Sequence, residues 1–492
     1  MSQSLDRRMF LGLAIVAVAG GIAGFHARAS AADAADQPST LLVGAAKTSI
    51  TPDRPVALQG QMHTRISTAV ESPVTAVALA LESRRGAQVV DQALFVSCDL
   101  TSFRGGLIEK VRERIRDRLP DFDAGKLILT ATHTHCAPVL VEGAYNIPPD
   151  GVMQPTEYFE FLVGRLSDVI VEAWQSRAPG SVGWGLGHAV VAQQRRAVYA
   201  DGHAEMYGKT DRPDFRSMEG YEDHGVEVLL VWDRAQNLVA TAINVACPAQ
   251  EVESRLTINA DYWHEVRQLL AARHGEQLAV LGWIGAAGDQ SPHLQFRQAA
   301  EDRMRELRGL TRLEEIARRI GRAWEEAYQG ASQDRRTDVV LAHHVETVEL
   351  PLRVVTAEEV AAAREQVAKL SKDPAQHTLM RWHQRVIDRW EQQLAAPDAT
   401  HPMELHVVRL GDVAIATNNF ELYTDFGVAI KARSPALQTF ILQLAGESSY
   451  LPSARAVEGG GYGAVPQSNR VGPEGGQVLV DRTVELIKSL WQ

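Results

Sequence analysis

Two histidines separated by one residue, His133 and His135, stand in Ala131-Thr132-His133-Thr134-His135-Cys136-Ala137-Pro138, directly after the apolar run Leu127-Ile128-Leu129. Side chains alternate along a strand, so residues two apart face the same side. Neutral imidazole is a common zinc ligand, and of two such rings one can bind metal while the other handles a proton. The pattern equally suits a hydrogen-bonded or surface pair. Gly285-Ala286-Ala287-Gly288-Asp289-Gln290-Ser291-Pro292-His293 also follows an apolar run. Its small residues allow a backbone to approach a ligand closely, Ser291 offers a nucleophile or donor, and Asp289 a ligand, an orienting group or a loop cap. A tight turn leaving a strand would look the same. In Asn418-Asn419-Phe420-Glu421 the carboxylate suits a metal ligand or general base, and also a helix cap. Ser448-Ser449-Tyr450-Leu451-Pro452-Ser453 and Gly461-Tyr462-Gly463 add two tyrosines among serines and glycines, residues that often only pack or gate.

These segments need a rigid support, and the apolar pattern supplies one. Short runs rich in Val, Ile and Leu at 93–100, 126–131, 226–232, 238–245, 278–284 and 413–417 predict strands buried on both faces. Apolar residues at three-to-four spacing predict helices over 106–119, 158–174, 262–273, 312–328, 357–370 and 479–490. The alternation implies an α/β (mixed α+β) fold, a multi-stranded and largely buried sheet core flanked by helices. Charged, helix-rich stretches near 295–330 and 356–394 read as helical insertions. No strand-Gly-x-Gly-x-x-Gly-helix unit occurs, which argues against a dinucleotide site.

Of the 492 residues, 45% are hydrophobic, enough for a large core. A formal net charge of -11 leaves no basic footprint for nucleic acid. Residues 1–35 read as an export signal: Arg7-Arg8-Met9-Phe10-Leu11, an apolar run to Phe25, then Ala29-Ser30-Ala31. The arginine pair resembles a twin-arginine signal, whose route exports folded proteins. This predicts a periplasmic or secreted protein with no stable membrane span in the mature chain. Three cysteines without close spacing, Cys98, Cys136 and Cys247, argue against a disulfide scaffold while leaving room for one bridge, and a buried thiol is expected for Cys98, which sits in an apolar run.

Order and spacing add what each segment lacks. Together with Val43-Gly44-Ala45-Ala46-Lys47-Thr48-Ser49-Ile50-Thr51-Pro52, the four segments resemble the N-terminal catalytic domain of the neutral/alkaline non-lysosomal ceramidases, zinc amidases that cleave the N-acyl bond of ceramide. The resemblance spans nearly all of residues 40–492. It implies His133 as first zinc ligand, His135 as its neighbour in the catalytic site, and Ser291 beside the metal-bound water. Glu421 and Tyr450 are implied as further ligands, and Tyr462, twelve residues on, as the donor to the substrate carbonyl. Arg195 or Arg196 stands where the family has an arginine reaching into the site.

The sequence departs from that pattern in three places. Where the family has a second histidine ligand, this chain reads Asn244-Val245-Ala246-Cys247-Pro248-Ala249-Gln250. His224 is the first candidate to replace it, with Gln250 and Cys247 behind. The sequence ends about 30 residues after Tyr462, where the family continues into a β-sandwich domain. No lipid-binding hairpin is recognisable, and Trp263, His264, His293 and His63 suggest polar surroundings. The resulting expectation is an exported hydrolase using Zn2+ or another divalent metal, held by His133, Glu421, Tyr450 and His224, to cleave an N-acyl amide. His135, Ser291, Tyr462, Arg195 and Arg196 would serve catalysis, and the substrate would be a small molecule, a lipid or a glycan. Two alternatives stand beside it: a hydrolase or lyase acting on an acidic sugar, and a non-catalytic binding protein of the same fold.

Overall fold

The branched apolar runs form strands shut off from solvent on both faces, and two stacked sheets supply the cover. The structure is a computed structural model and describes residues 39–447 and 449–492. The expected export signal lies outside these residues. The strands are β1 (Thr40–Ser49), β2 (Thr75–Arg85), β3 (Gln88–Cys98), β4 (Leu127–Ala131), β5 (Ala178–His188), β6 (Gly225–Asp233), β7 (Leu238–Val245), β8 (Ala279–Ile284), β9 (Leu341–Pro351), β10 (Thr400–Leu410), β11 (Val413–Thr417) and β12 (Gln438–Leu442). The larger sheet has the order β8-β7-β6-β5-β1-β2-β3-β4, the smaller one β9-β10-β11-β12. The pairs β3/β4, β7/β8 and β11/β12 are parallel and the rest antiparallel. Those three parallel pairs end in the loops that carry the motifs.

The two sheets share one apolar interior, with Leu79, Phe95, Leu229 and Trp283 from the larger meeting Leu410, Ile415 and Phe440 from the smaller. The larger sheet curls so that β8 crosses β3: the Ser97 hydroxyl donates to the Gly282 carbonyl at 2.7 Å, and Phe95 meets Trp283 at 5.3 Å. Helices cover the outer faces. In chain order they are α1 (Leu107–Arg116), α2 (Pro155–Gln175), α3 (Tyr262–His274), α4 (Arg312–Ala331), α5 (Ala357–Leu370), α6 (His377–Ala395), α7 (Thr424–Arg433) and α8 (Pro473–Ser489). Helices α1 and α2 pack on one half of the larger sheet, α3 and α4 on the other, and α7 and α8 on the smaller sheet. The helices α5 and α6 join through a core of their own, Val355, Val360, Ala363, Val386 and Ile387. Among the described residues no helix is long and apolar enough to cross a membrane. Cys98 is free and buried, as expected, and so are Cys136 and Cys247, which leaves no bridge among the three.

One contact shows how sequence dictates packing. Gly183, Gly185 and Gly187 line one face of β5, and a Cβ on them would meet the carbonyls of Ala331, Ala327 and Ala323 at 3.1, 2.7 and 2.1 Å. Two strand residues advance about 6.6 Å and four helix residues about 6 Å, so a Gly-x-Gly-x-Gly strand meshes with an Ala-x-x-x-Ala-x-x-x-Ala helix. Backbone then rests on backbone. Gly187→Ala should therefore cost about 1–3 kcal/mol through overpacking. The measurement is the urea midpoint at unchanged slope, and an unaltered midpoint would show that α4 can lift away freely.

Candidate active site

His133 adopts a left-handed backbone, φ 66°, one of few non-glycine residues here to do so. Its amide donates to the Leu100 carbonyl, and its Nδ1 lies 2.6 Å from the Thr101 carbonyl, so Nδ1 carries the proton. The lone pair on Nε2 is thereby turned towards Glu421, whose Oε2 is 3.2 Å away. That contact lacks hydrogen-bond alignment, which leaves Nε2 buried and unsatisfied.

Glu421 arrives beside His133 through a short parallel pairing: Glu421–Leu422 aligns with Tyr450–Leu451, residue for residue. Parallel register sets the Glu421 carboxylate next to the Tyr450 phenol. Burial would raise the Glu421 carboxyl, but His133 in its protonated form, Arg195 and Tyr450 bring it down to about 2. Burial and Glu421 raise the Tyr450 phenol well above its ordinary range, with Arg195 opposing them. The Tyr462 ring stands edge-on to Tyr450 at 5.6 Å. His133, His135, Glu421, Tyr450 and Tyr462 all line one cavity of about 790 Å³.

Adjacent arginines go to opposite sides, as neighbours in extended chain must. Arg195 is buried and reaches the site: its guanidinium donates to Gly288 O (2.8 Å), Gln250 Oε1 (3.1 Å), Tyr207 Oη (3.1 Å) and Tyr450 Oη (3.3 Å). Arg196 turns away to Glu219 at 2.7 Å and to the carbonyls of Ala456, Gly460 and Tyr462. It anchors the loop carrying Tyr462 and offers nothing to the cavity, contrary to expectation. Ser291 is also displaced from its expected role. Fully buried, it pairs with Gln193, and its hydroxyl accepts from Tyr207 Oη and the His293 amide. It supports Tyr207, and Tyr207 supports Arg195.

His224 does not join His133. Its Nε2 faces Glu222 Oε2 at 3.4 Å, and it is absent from the cavity wall. Cys247, at the place of the missing histidine, sits in the core with its thiol 3.7 Å from the Val191 and Pro248 carbonyls, and burial pushes its pKa up. The residue from that segment which does reach the site is Gln250, and Glu253 comes with it. Gln250 Nε2 lies 2.8 Å from His135 Nε2, while Glu253 Oε2 lies 3.1 Å from His135 Nδ1. With Gln250 Oε1 occupied by Arg195, its amide must donate, so His135 accepts at Nε2 and carries its proton on Nδ1. Burial lowers the pKa of His135 and keeps it neutral, Glu253 opposing.

The sequence reading passed over Glu253, Tyr207, Arg65 and Trp382. Arg65 clamps the loops through four carbonyls, those of Gln59, His135, Glu253 and Arg255, and backbone acceptors leave no mark on a sequence. Glu253 had a signal: a polar run, Gln250-Glu251-Val252-Glu253, straight after a buried strand. Asp261 holds that run in place, capping α3 at Tyr262 N and accepting from Val252 N. Asp289 is likewise an organiser, accepting from Thr424 and Gln194.

A divalent cation is compatible with this donor set by spacing, although His135 Nδ1, equally unsatisfied, stands at the same kind of distance from Glu253. Two zinc ligands at ~2.0–2.1 Å in a tetrahedron lie about 3.3 Å apart, close to the His133 Nε2–Glu421 Oε2 separation, and a shared ion would also satisfy the orphaned Nε2. The Tyr450 phenol, beside Glu421, could serve as a third donor. Among the described residues no group of three or more His, Cys, Asp and Glu side chains is placed to hold a metal, so the phenol is indispensable to such a site.

No family model matches the sequence, and neither does any curated protein. Solved structures do match by shape. The neutral ceramidase from Pseudomonas aeruginosa superposes with a TM-score of 0.65 at 17% identity, covering 92% of this chain and 75% of that one. A ceramidase complexed with C2 gives 0.63 at 16% identity, covering 93% and 76%. The chain has the fold of the neutral ceramidases.

The Gln250–Glu253 loop generates a pH prediction through Glu251. Its carboxyl is pushed up to about 8 by burial, Arg312 opposing, and its Oε2 has no partner. A folded-state value above the ordinary 4.5 favours the fold while the acid is protonated; that advantage is complete below about 4.5 and gone above about 8. Wild-type protein should therefore lose stability relative to Glu251→Gln as pH rises through that window. Parallel melting curves for the two proteins would reveal an unwanted outcome, a constant difference from pH 4 to 9.

Proposed function

We propose that this protein is an exported, metal-dependent hydrolase that cleaves an N-acyl amide in the cavity between Glu421 and Tyr462. The observation that carries the reading is the close, unaligned approach of His133 Nε2 and Glu421 Oε2 beside Tyr450 on a ceramidase fold. His133, Glu421 and Tyr450 would hold the cation. Bound there, it would supply Lewis acidity and acidify a water towards neutrality. The arginine pair Arg7-Arg8 ahead of an apolar run supports export.

In the reaction a water oxygen adds to the acyl carbon, the C–N bond breaks, and the departing nitrogen takes up a proton. Tyr462 faces the cavity, and its hydroxyl donates to the carbonyl oxygen as negative charge builds there. His135 enters neutral, and once the Gln250 amide yields the Nε2 lone pair that it occupies, Nε2 can accept a proton from the water and return it to the leaving nitrogen. Glu253, facing Nδ1, stabilises the imidazolium formed in transit. Arg195 acts through others, holding Gln250 against His135 and Tyr450 beside Glu421.

Turnover of short-chain N-acyl amides, together with metal content of the protein isolated from its export route, tests the reading. His133→Ala should lose both bound metal and turnover; full metal stoichiometry in that variant would sink the assignment. Tyr462→Phe should keep its metal and lose about 10²–10³ in kcat.

A further inference from the structure

The helix α6 was expected only as part of an excursion, yet it forms a wall of the cavity. Thr378, Trp382, Arg385, Arg389 and Gln392 all face the cavity, at spacings of four, three, four and three. That is one stripe of a helix. The opposite stripe, Val386 and Ile387, packs on α5. Trp382 stacks on Tyr462 at 5.8 Å and 28°, so the stripe is fixed to the reacting end of the cavity. Arg385 follows at ~4.5 Å along the axis and Arg389 at ~10 Å.

The charges in this wall are not balanced. Among the described residues Arg385 has no hydrogen-bond or ion-pair partner. Arg389 donates to the carbonyls of Pro466, Asn469 and Arg353 and meets no carboxylate. Arg470, also on the wall, has no acidic partner among the described residues. Arg104 has a contact at 3.5 Å with Glu447, which is itself largely exposed. Of the acids in the cavity, Glu404 is engaged by Arg112 and His406 and Glu421 lies beside His133 at the reacting end, while Asp388, which accepts from the neutral Gln384, is one carboxylate on this wall against Arg385, Arg389 and Arg470. Glu109 lies exposed on the rim. Burial and neighbouring arginines lower the pKa of Arg385 and bring Arg389 down to about 10. Guanidinium groups crowded in this way repel one another, and an anion seated among them relieves that repulsion.

We propose that the Trp382–Arg385–Arg389 stripe of α6 and the facing Arg104 bind a carboxylate or sulfate on the substrate, so that the amide cleaved here belongs to a small anionic molecule and not to a neutral lipid. This rests on the reading of Tyr462 and Glu421 as the reacting end of the cavity, and it names the substrate class for that site. Guanidinium groups suit planar and tetrahedral oxyanions alike, so an acidic amino sugar and an acidic N-acyl amino acid share the required chemistry.

Calorimetric titration of the full mature chain with two matched pairs tests it. One pair is N-acetylglucosamine 6-sulfate against N-acetylglucosamine, and the other is N-acetylglutamate against N-acetylglutamine. The anionic member of at least one pair should bind at least about tenfold more tightly. That preference should fall below about twofold in Arg385→Gln, whose exposed and unpartnered side chain leaves the fold intact, and shrink in Arg104→Gln. The pair that shows it identifies the source of the anion. Equal binding within both pairs, no binding by any of the four, or a preference unchanged in Arg385→Gln would overturn the proposal. An anion that binds in this way but is never cleaved would instead overturn the hydrolase reading. Cleavage of neutral N-acyl amides without any anionic preference would do the reverse.

Discussion

Arg195 brings a full positive charge into a place with almost no solvent, 2% exposed, and the site is arranged around satisfying it. Removing one partner from a buried charge costs on the order of 3–5 kcal/mol, so the acceptors around Arg195 cannot drift independently. Those acceptors come from four separate stretches of chain: Gly288 after β8, Gln250 after β7, Tyr207, and Tyr450 after β12. One side chain thus sets the distance between loops from both sheets. Its effect passes outward, because Gln250 fixes the tautomer of His135 and Tyr450 lies against Glu421. The charge that Arg195 carries also helps to keep Glu421 ionised, as does His133 to a larger extent when it is protonated.

The sheets make such a meeting place. Stacking a curled eight-stranded sheet on a four-stranded one brings the loops after β4, β7, β8, β11 and β12 to the same region. Backbone bonds then lock loop to loop, Gly288 N to Leu422 O at 2.7 Å and Ala249 N to Thr132 O at 3.1 Å among them. A side chain on Gly288 would strike the Glu421 carbonyl at 2.3 Å. The small residues of the 285–288 loop therefore serve close approach between loops, where the sequence pattern suggested approach to a ligand. Against this rigid floor, α6 forms a wall that packs on α5 through a separate core, so its cavity face is free to carry chemistry unrelated to the fold's stability.

Much of this was legible beforehand, and what was legible shares a physical basis. All six apolar runs became strands and all six periodic stretches became helices, because burial pattern is a local property of sequence. Of the strands missed, β5 carries Gly183, Gly185 and Gly187 on one face, and β9 and β10 interleave His, Glu and Arg with their apolar residues. Alternation there is disguised by what the partner element demands. In the site, His133, His135, Glu421, Tyr450 and Tyr462 were found because each follows a recognisable run in a known order. Arg195 could not be told from Arg196, since only the pairing of Gln193–Gln194 with Gln290–Ser291 decides which of two neighbours points inward.

The sequence by itself determined the elements, the mixed α/β class, and which chemically able residues stand at strand ends. Tertiary structure alone decided which of them meet. His224 was placed with the site by its chemistry and sits instead with Glu222, while Glu253 and Gln250 meet His135 from a segment marked chiefly by the lack of a histidine. The reason is one of range. Periodicity and burial are set within a few residues, whereas a site is an agreement between loops more than a hundred residues apart, settled by how two sheets curl and by which buried charges must be satisfied.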